Sequence, residues 1–98
     1  MTSIRFHIPG PLVPFSGGQR DLVIETAATT VGEALLSLWA AWPGIRDRIV
    51  NEQGDVREHV NIFLGNENIR YLQGIESALP TEPDIPPEIW IVPAVSGG

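Results

Sequence analysis

The sequence ends in Val95-Ser96-Gly97-Gly98, and a carboxylate carried on two glycines is suited to one kind of chemistry. A carboxylate is a poor electrophile until another enzyme converts it, with ATP, to an acyl-adenylate. Glycine lacks Cβ, so two in succession pass through a narrow channel and leave the terminal carbonyl open to attack. If sulfide displaces the adenylate, the product is a thiocarboxylate, whose sulfur is anionic at neutral pH and nucleophilic. At ordinary glycine usage a terminal Gly-Gly arises by chance in roughly one protein in two hundred, so its position matters. It follows directly on Glu88-Ile89-Trp90-Ile91-Val92, which reads as a strand closed by Pro93. Residues 94–98 are expected to form a flexible tail reaching at most about 17 Å from the domain.

Composition agrees with such a group and excludes others. The chain has no cysteine, which removes disulfides, a thiolate metal site, a cysteine nucleophile and a cysteine persulfide together. A C-terminal thiocarboxylate needs none of these. All six basic residues are arginines. Arginine-biased codon usage explains the missing lysines; equally, a chain with an activated acyl end gains from having no lysine amine to acylate. The net charge is −6, and the arginines are scattered, which argues against nucleic acid; the acidity reads as an aid to solubility or, alternatively, as an attraction for a basic protein partner. Met1-Thr2-Ser3-Ile4-Arg5 does not read as a signal peptide, and no apolar run approaches the roughly 18 residues of a membrane span. The expectation is a cytoplasmic protein with no membrane partner.

Other residues that could do chemistry do not form sites. His7 and His59 have no companions at metal-ligand spacing and read as surface or satisfied histidines. Gly17-Gly18 lacks the spacing and the lysine of a phosphate loop and reads as a turn between strands. Glu76, Glu82, Asp84 and Glu88 read as a solvated acidic stretch that attracts a basic partner rather than as paired catalytic carboxylates. The chain is therefore expected to be a carrier or co-substrate, or the small subunit of a synthase, and not an enzyme, with no bound cofactor or metal.

One domain is expected at 98 residues. Ile4-Arg5-Phe6-His7-Ile8 alternates, placing Ile4, Phe6 and Ile8 inside a half-buried strand. Pro9, Pro11 and Pro14 predict an irregular continuation or an edge toward Phe15, then a turn at Ser16-Gly17-Gly18-Gln19 and a returning strand at Asp21–Glu25. Thr30-Val31-Gly32-Glu33 fits a capping box, in which Glu33 reaches back to the cap. Val31, Ala34, Leu35, Leu38, Trp39 and Trp42 form the apolar stripe of the helix that follows. Pro43-Gly44 ends that helix, Ile45–Val50 has room for another helical turn, and residues 51–55 read as a polar loop. Val60–Leu64 alternates as a strand, Gly65–Asn68 turns, Ile69–Tyr71 reads as a short strand, and residues 73–87 are irregular. The order predicts an α+β architecture, with one main helix covering a mixed sheet of four to five strands.

Four segments carry a resemblance that spans nearly the whole chain. They are Pro14-Phe15-Ser16-Gly17-Gly18-Gln19, Trp42-Pro43-Gly44-Ile45, residues 60–71, and Ile91-Val92-Pro93-Ala94-Val95-Ser96-Gly97-Gly98. With them the chain resembles the MoaD/ThiS family of ubiquitin-like sulfur carriers, most closely its CysO-type branch. The resemblance implies a β-grasp domain over residues 1–93 with a tail at 94–98. It implies Gly98 as the residue adenylated and thiocarboxylated, with Gly97 beside it and ATP consumed by a partner related to ubiquitin-activating enzymes. A sulfur-accepting synthase is also implied: cysteine synthase-like, the molybdopterin-synthase large subunit or a thiazole synthase. The chain departs from the family in having Ser96 where alanine is usual, and Thr81–Pro87 where an Asp-Gly pair usually leads into the last strand.

Strand parity gives a docking surface. If Ile89 and Ile91 face the core, Trp90 and Val92 face out, and an exposed tryptophan next to the tail suits an interface anchor. Phe63 joins them by parity, Ile69 by family analogy, and Val95 and Ser96 as the tail enters a partner. The alternative for Trp90 is cover for a neighbouring strand or loop. Two other functions stay open: a ubiquitin-like modifier conjugated through Gly98, and a non-covalent β-grasp interaction module.

Overall fold

Alternating apolar residues near both ends of the chain build the middle of the sheet. In a computed structural model, which describes residues 2–80 and 86–93, β1 (Thr2–His7) lies parallel to β5 (Glu88–Pro93), with Phe6 opposite Ile89 and His7 opposite Trp90. Strand β2 (Asp21–Thr26) pairs antiparallel with β1, and β3 (Val60–Leu64) antiparallel with β5. A two-residue β4 (Glu67–Asn68) completes the mixed sheet in the order β2-β1-β5-β3-β4. This is the β-grasp layout that the resemblance implies.

The inward face of the sheet supplies Ile4, Phe6, Ile62, Ile89 and Ile91 to the core. Helix α1 (Val31–Ala41) supplies Val31, Ala34, Leu35 and Leu38 from its apolar stripe. A second helix, α2 (Pro43–Ile49), supplies Ile45 and Ile49, so two helices share the covering expected of one. Pro43 occupies its first position, where a missing N–H costs nothing. Among the described residues no helix is long and apolar enough to cross a membrane.

Three local expectations change. The segment after β1 winds into a 3-10 helix, Gly10–Ser16, rather than continuing as an irregular strand. Its prolines hold helical φ values, and the buried Ser16 hydroxyl lies 2.6 Å from the Gln19 carbonyl. Gly17 then turns with φ 65°, with a Trp42 ring carbon only 3.1 Å from where a Cβ would sit. At the start of α1, Thr30 Oγ1 accepts from the Glu33 N–H as expected. Glu33, however, accepts from the N–H and hydroxyl of Thr29, both at 2.8 Å, one residue before the cap. Pairing of residues 29–31 with 77–79 holds this backbone extended and turns the Thr29 donors toward the carboxylate. Finally, the strand expected at Ile69–Tyr71 is a 3-10 turn following β4. Asn68 accepts from the Arg70 N–H and bends the chain out of the ladder.

The Thr29 backbone N–H, then its hydroxyl, holds the Glu33 carboxyl below its ordinary range. A depressed carboxyl stabilises the fold above its unfolded value, and that contribution is lost as pH falls through the lowered folded value. Glu33→Gln is therefore expected to lower the urea midpoint at neutral pH and to match the native chain once acid has protonated Glu33. Denaturation curves across pH check this; a pH-independent difference would assign the effect to packing.

Candidate functional site

The strand that leads to the chain terminus presents two faces of opposite character. Ile89 and Ile91 are fully or nearly fully buried, whereas Trp90 is 42% and Val92 41% exposed on the face the helices leave open. Phe63, opposite Trp90 on β3, is half-buried. Phe63, Gly65, Asn66, Trp90 and Val92 line one shallow depression. Val95, Ser96, Gly97 and Gly98 lie outside the described residues. So do Glu82 and Asp84 of the acidic stretch, while Glu88 contacts His7.

Ile69 is a correction. It is 3% exposed and belongs to the core, not to the face that holds Trp90. The Asx turn at Asn68 rotates the chain just where strand alternation would have been extended, and this sends the side chain inward. The same turn puts Arg70 against the carbonyls of Arg57, Glu58 and Val60 at 2.7–3.0 Å. The guanidinium thereby ties down the loop entering β3.

His7 is satisfied, as its reading from the sequence has it, but its place beside Trp90 is one that sequence reasoning passed over. Its ring stacks on the Trp90 indole with centroids 3.6 Å apart and planes 8° from parallel. Nδ1 lies 2.8 Å from Asp21 Oδ1 and Nε2 lies 2.7 Å from Glu88 Oε1. The alternation that put Ile4, Phe6 and Ile8 inside already placed His7 outside. What the sequence did not show was the parallel pairing that sets it beside Trp90.

Exposed Asp21, Glu25 and Glu88 surround the apolar residues of the open face, with Arg5 among them. Where β5 ends, a cavity of 630 Å³ is lined by Ile91 and Pro93 together with Asp47, Arg48, Arg57 and His59. Among the described residues, no group of three His, Cys, Asp or Glu side chains could hold a metal ion. The arrangement suits presentation of the segment beyond Pro93 beside an apolar, acid-rimmed surface.

No protein-family model matches the chain. Individual proteins do. The sulfur carrier protein CysO of Mycobacterium tuberculosis is 29% identical over 98 residues, covering 98% of this chain and 99% of that protein. A putative sulfur carrier protein of Archaeoglobus fulgidus is 31% identical over 86 residues, covering 88% and 93%. Small archaeal modifier protein 3 of Haloferax volcanii is 35% identical over 69 residues, 70% of each chain. Among solved structures, a chain of the Amycolatopsis orientalis BexX/CysO complex superposes with a TM-score of 0.81 at 26% identity, covering 97% of this chain and 99% of that one. With a β-grasp sheet and relatives matched over most of their length, the chain belongs to the MoaD/ThiS family of ubiquitin-like sulfur carriers, in its CysO-type branch.

Proposed function

We propose that the Gly98 carboxylate is the sulfur-bearing group. A partner adenylating enzyme joins it to the α-phosphate of ATP and releases pyrophosphate. Hydrosulfide then attacks the acyl carbon and expels AMP. The product is a Gly98 thiocarboxylate, whose sulfur attacks an electrophilic carbon held by a biosynthetic synthase. The observation that carries this reading is that β5 ends at Pro93 and is followed in the sequence by Ala94-Val95-Ser96-Gly97-Gly98. Five residues span about 17 Å, enough to enter a partner's active site while the open sheet face docks outside it. The Amycolatopsis complex supports a partner protein for a carrier of this kind. Cysteine synthase-like enzymes fit the CysO-type relatives best as acceptor, before molybdopterin or thiazole synthases.

The test is intact-mass spectrometry after incubation with the cognate adenylating enzyme, ATP and a sulfur source. The expected result is exchange of one oxygen for one sulfur, located by fragmentation at Gly98. No exchange, or exchange at another residue, overturns the reading.

The similarity to a Haloferax modifier protein favours a second reading, in which Gly98 is joined to amines of other proteins. Without lysine, this chain offers no side-chain amine for linking copies of itself. Higher-mass conjugates in cells that vanish on loss of Gly97-Gly98 would select this reading.

A further inference from the structure

His7 makes two polar contacts that one neutral imidazole cannot satisfy. A neutral ring has one N–H and one lone pair, yet both nitrogens lie within 2.8 Å of carboxylate oxygens. Only the doubly protonated ring donates to both. Its anchors come from the two strands that flank β1, Asp21 from β2 and Glu88 from β5, so together they fix the plane of the ring. Trp90 lies parallel to that plane at 3.6 Å, where an imidazolium also gains a cation–π attraction. Arg5, two positions back on the same face, is the remaining charged neighbour along β1, opposite Glu88 in register. The 3-10 segment that follows β1, Gly10–Ser16, carries no titratable side chain.

We propose that His7 is the positioning residue of the docking face: its ring, tied to Asp21 and Glu88, holds the Trp90 indole in its docking pose. Removing either carboxylate takes away one of the anchors that orient the ring, and replacing the ring takes away the stack. The consequence for docking rests on the sulfur-carrier reading. The coupling of His7 to Trp90 does not, and it can be measured on the chain alone.

Nitrogen-15 NMR of the isolated protein at constant pH follows the Trp90 indole N–H. Asp21→Asn and Glu88→Gln, which leave both rings in place, should each shift the Trp90 signal, while Trp39 and Trp42 keep theirs. His7→Gln should shift it further, and His59→Gln should leave all three signals intact. A Trp90 signal that ignores the loss of the His7 anchors overturns the proposal, whatever the outcome for sulfur transfer. With the cognate adenylating enzyme, KM should rise about five- to tenfold in His7→Gln at constant kcat. An unchanged KM would overturn the role in docking.

Discussion

Deleting Gly97 and Gly98, or adding one residue after Gly98, is expected to reduce thiocarboxylate formation by at least about 100-fold while leaving the fold intact. The magnitude follows from reach. One added residue moves the carboxylate by about 3.4 Å, and a misplacement of about 1 Å at a reacting centre already costs on the order of 100-fold. The fold should not respond, because among the described residues the buried apolar cluster runs from Ile4 to Ile91 and glycine has no side chain to add to it. Changes outside such a core fall within about 0.5 kcal/mol, a shift of no more than about 4 °C for a domain of this size. Gly98→Ala keeps the carboxylate in place and adds only a Cβ beside the acyl carbon, so its loss should be smaller. Single-turnover thiocarboxylation with a parallel thermal melt measures both quantities. A non-covalent interaction module predicts the opposite pattern, with full function after a one-residue extension.

Local signals carried most of the architecture. Alternation located β1, β2, β3 and β5 within a residue or two, because each keeps one face on the core and the other in water. The Thr30 cap and the apolar stripe located α1 for the same reason: both are properties of a few neighbouring residues. The 3-10 helix at Gly10–Ser16 was missed because proline shows that a ladder is interrupted without showing what replaces it. Ile69 was misplaced because a single asparagine side chain changes the direction of the backbone, and periodicity contains no term for that. The place of His7 was missed for a different reason. Its contact to Glu88 joins residues 81 positions apart through a parallel pairing of the first and last strands. The outward parity of β5 was thus legible in the sequence, whereas the residue stacked beside Trp90 required the topology.

Trp90→Ala is expected to raise KM for the adenylating partner about 30-fold or more with kcat nearly unchanged. A tryptophan at the centre of an interface typically contributes 2 kcal/mol or more to binding, and that is the fold-change this corresponds to. The separation of KM from kcat is expected because Trp90 lies on β5 within the folded domain, apart in sequence from the reacting Gly98, so its loss removes binding common to ground and transition states. Its removal should cost the fold little, since its 42% exposure leaves much of the ring in solvent and Ile89 and Ile91 hold β5 to the core. Ile69→Ala is the informative contrast. Ile69 was first assigned to the same face but is buried, so its truncation should cost about 2–5 kcal/mol of stability, with no specific effect on KM where the protein remains folded. Trp90→Phe should recover part of the affinity by keeping a ring against His7 and beside Phe63. Steady-state kinetics over carrier concentration, read beside urea unfolding of each variant, separates these outcomes. An unchanged KM in Trp90→Ala would move the docking surface away from the open sheet and toward the cavity lined by Arg48 and Arg57 at the end of β5.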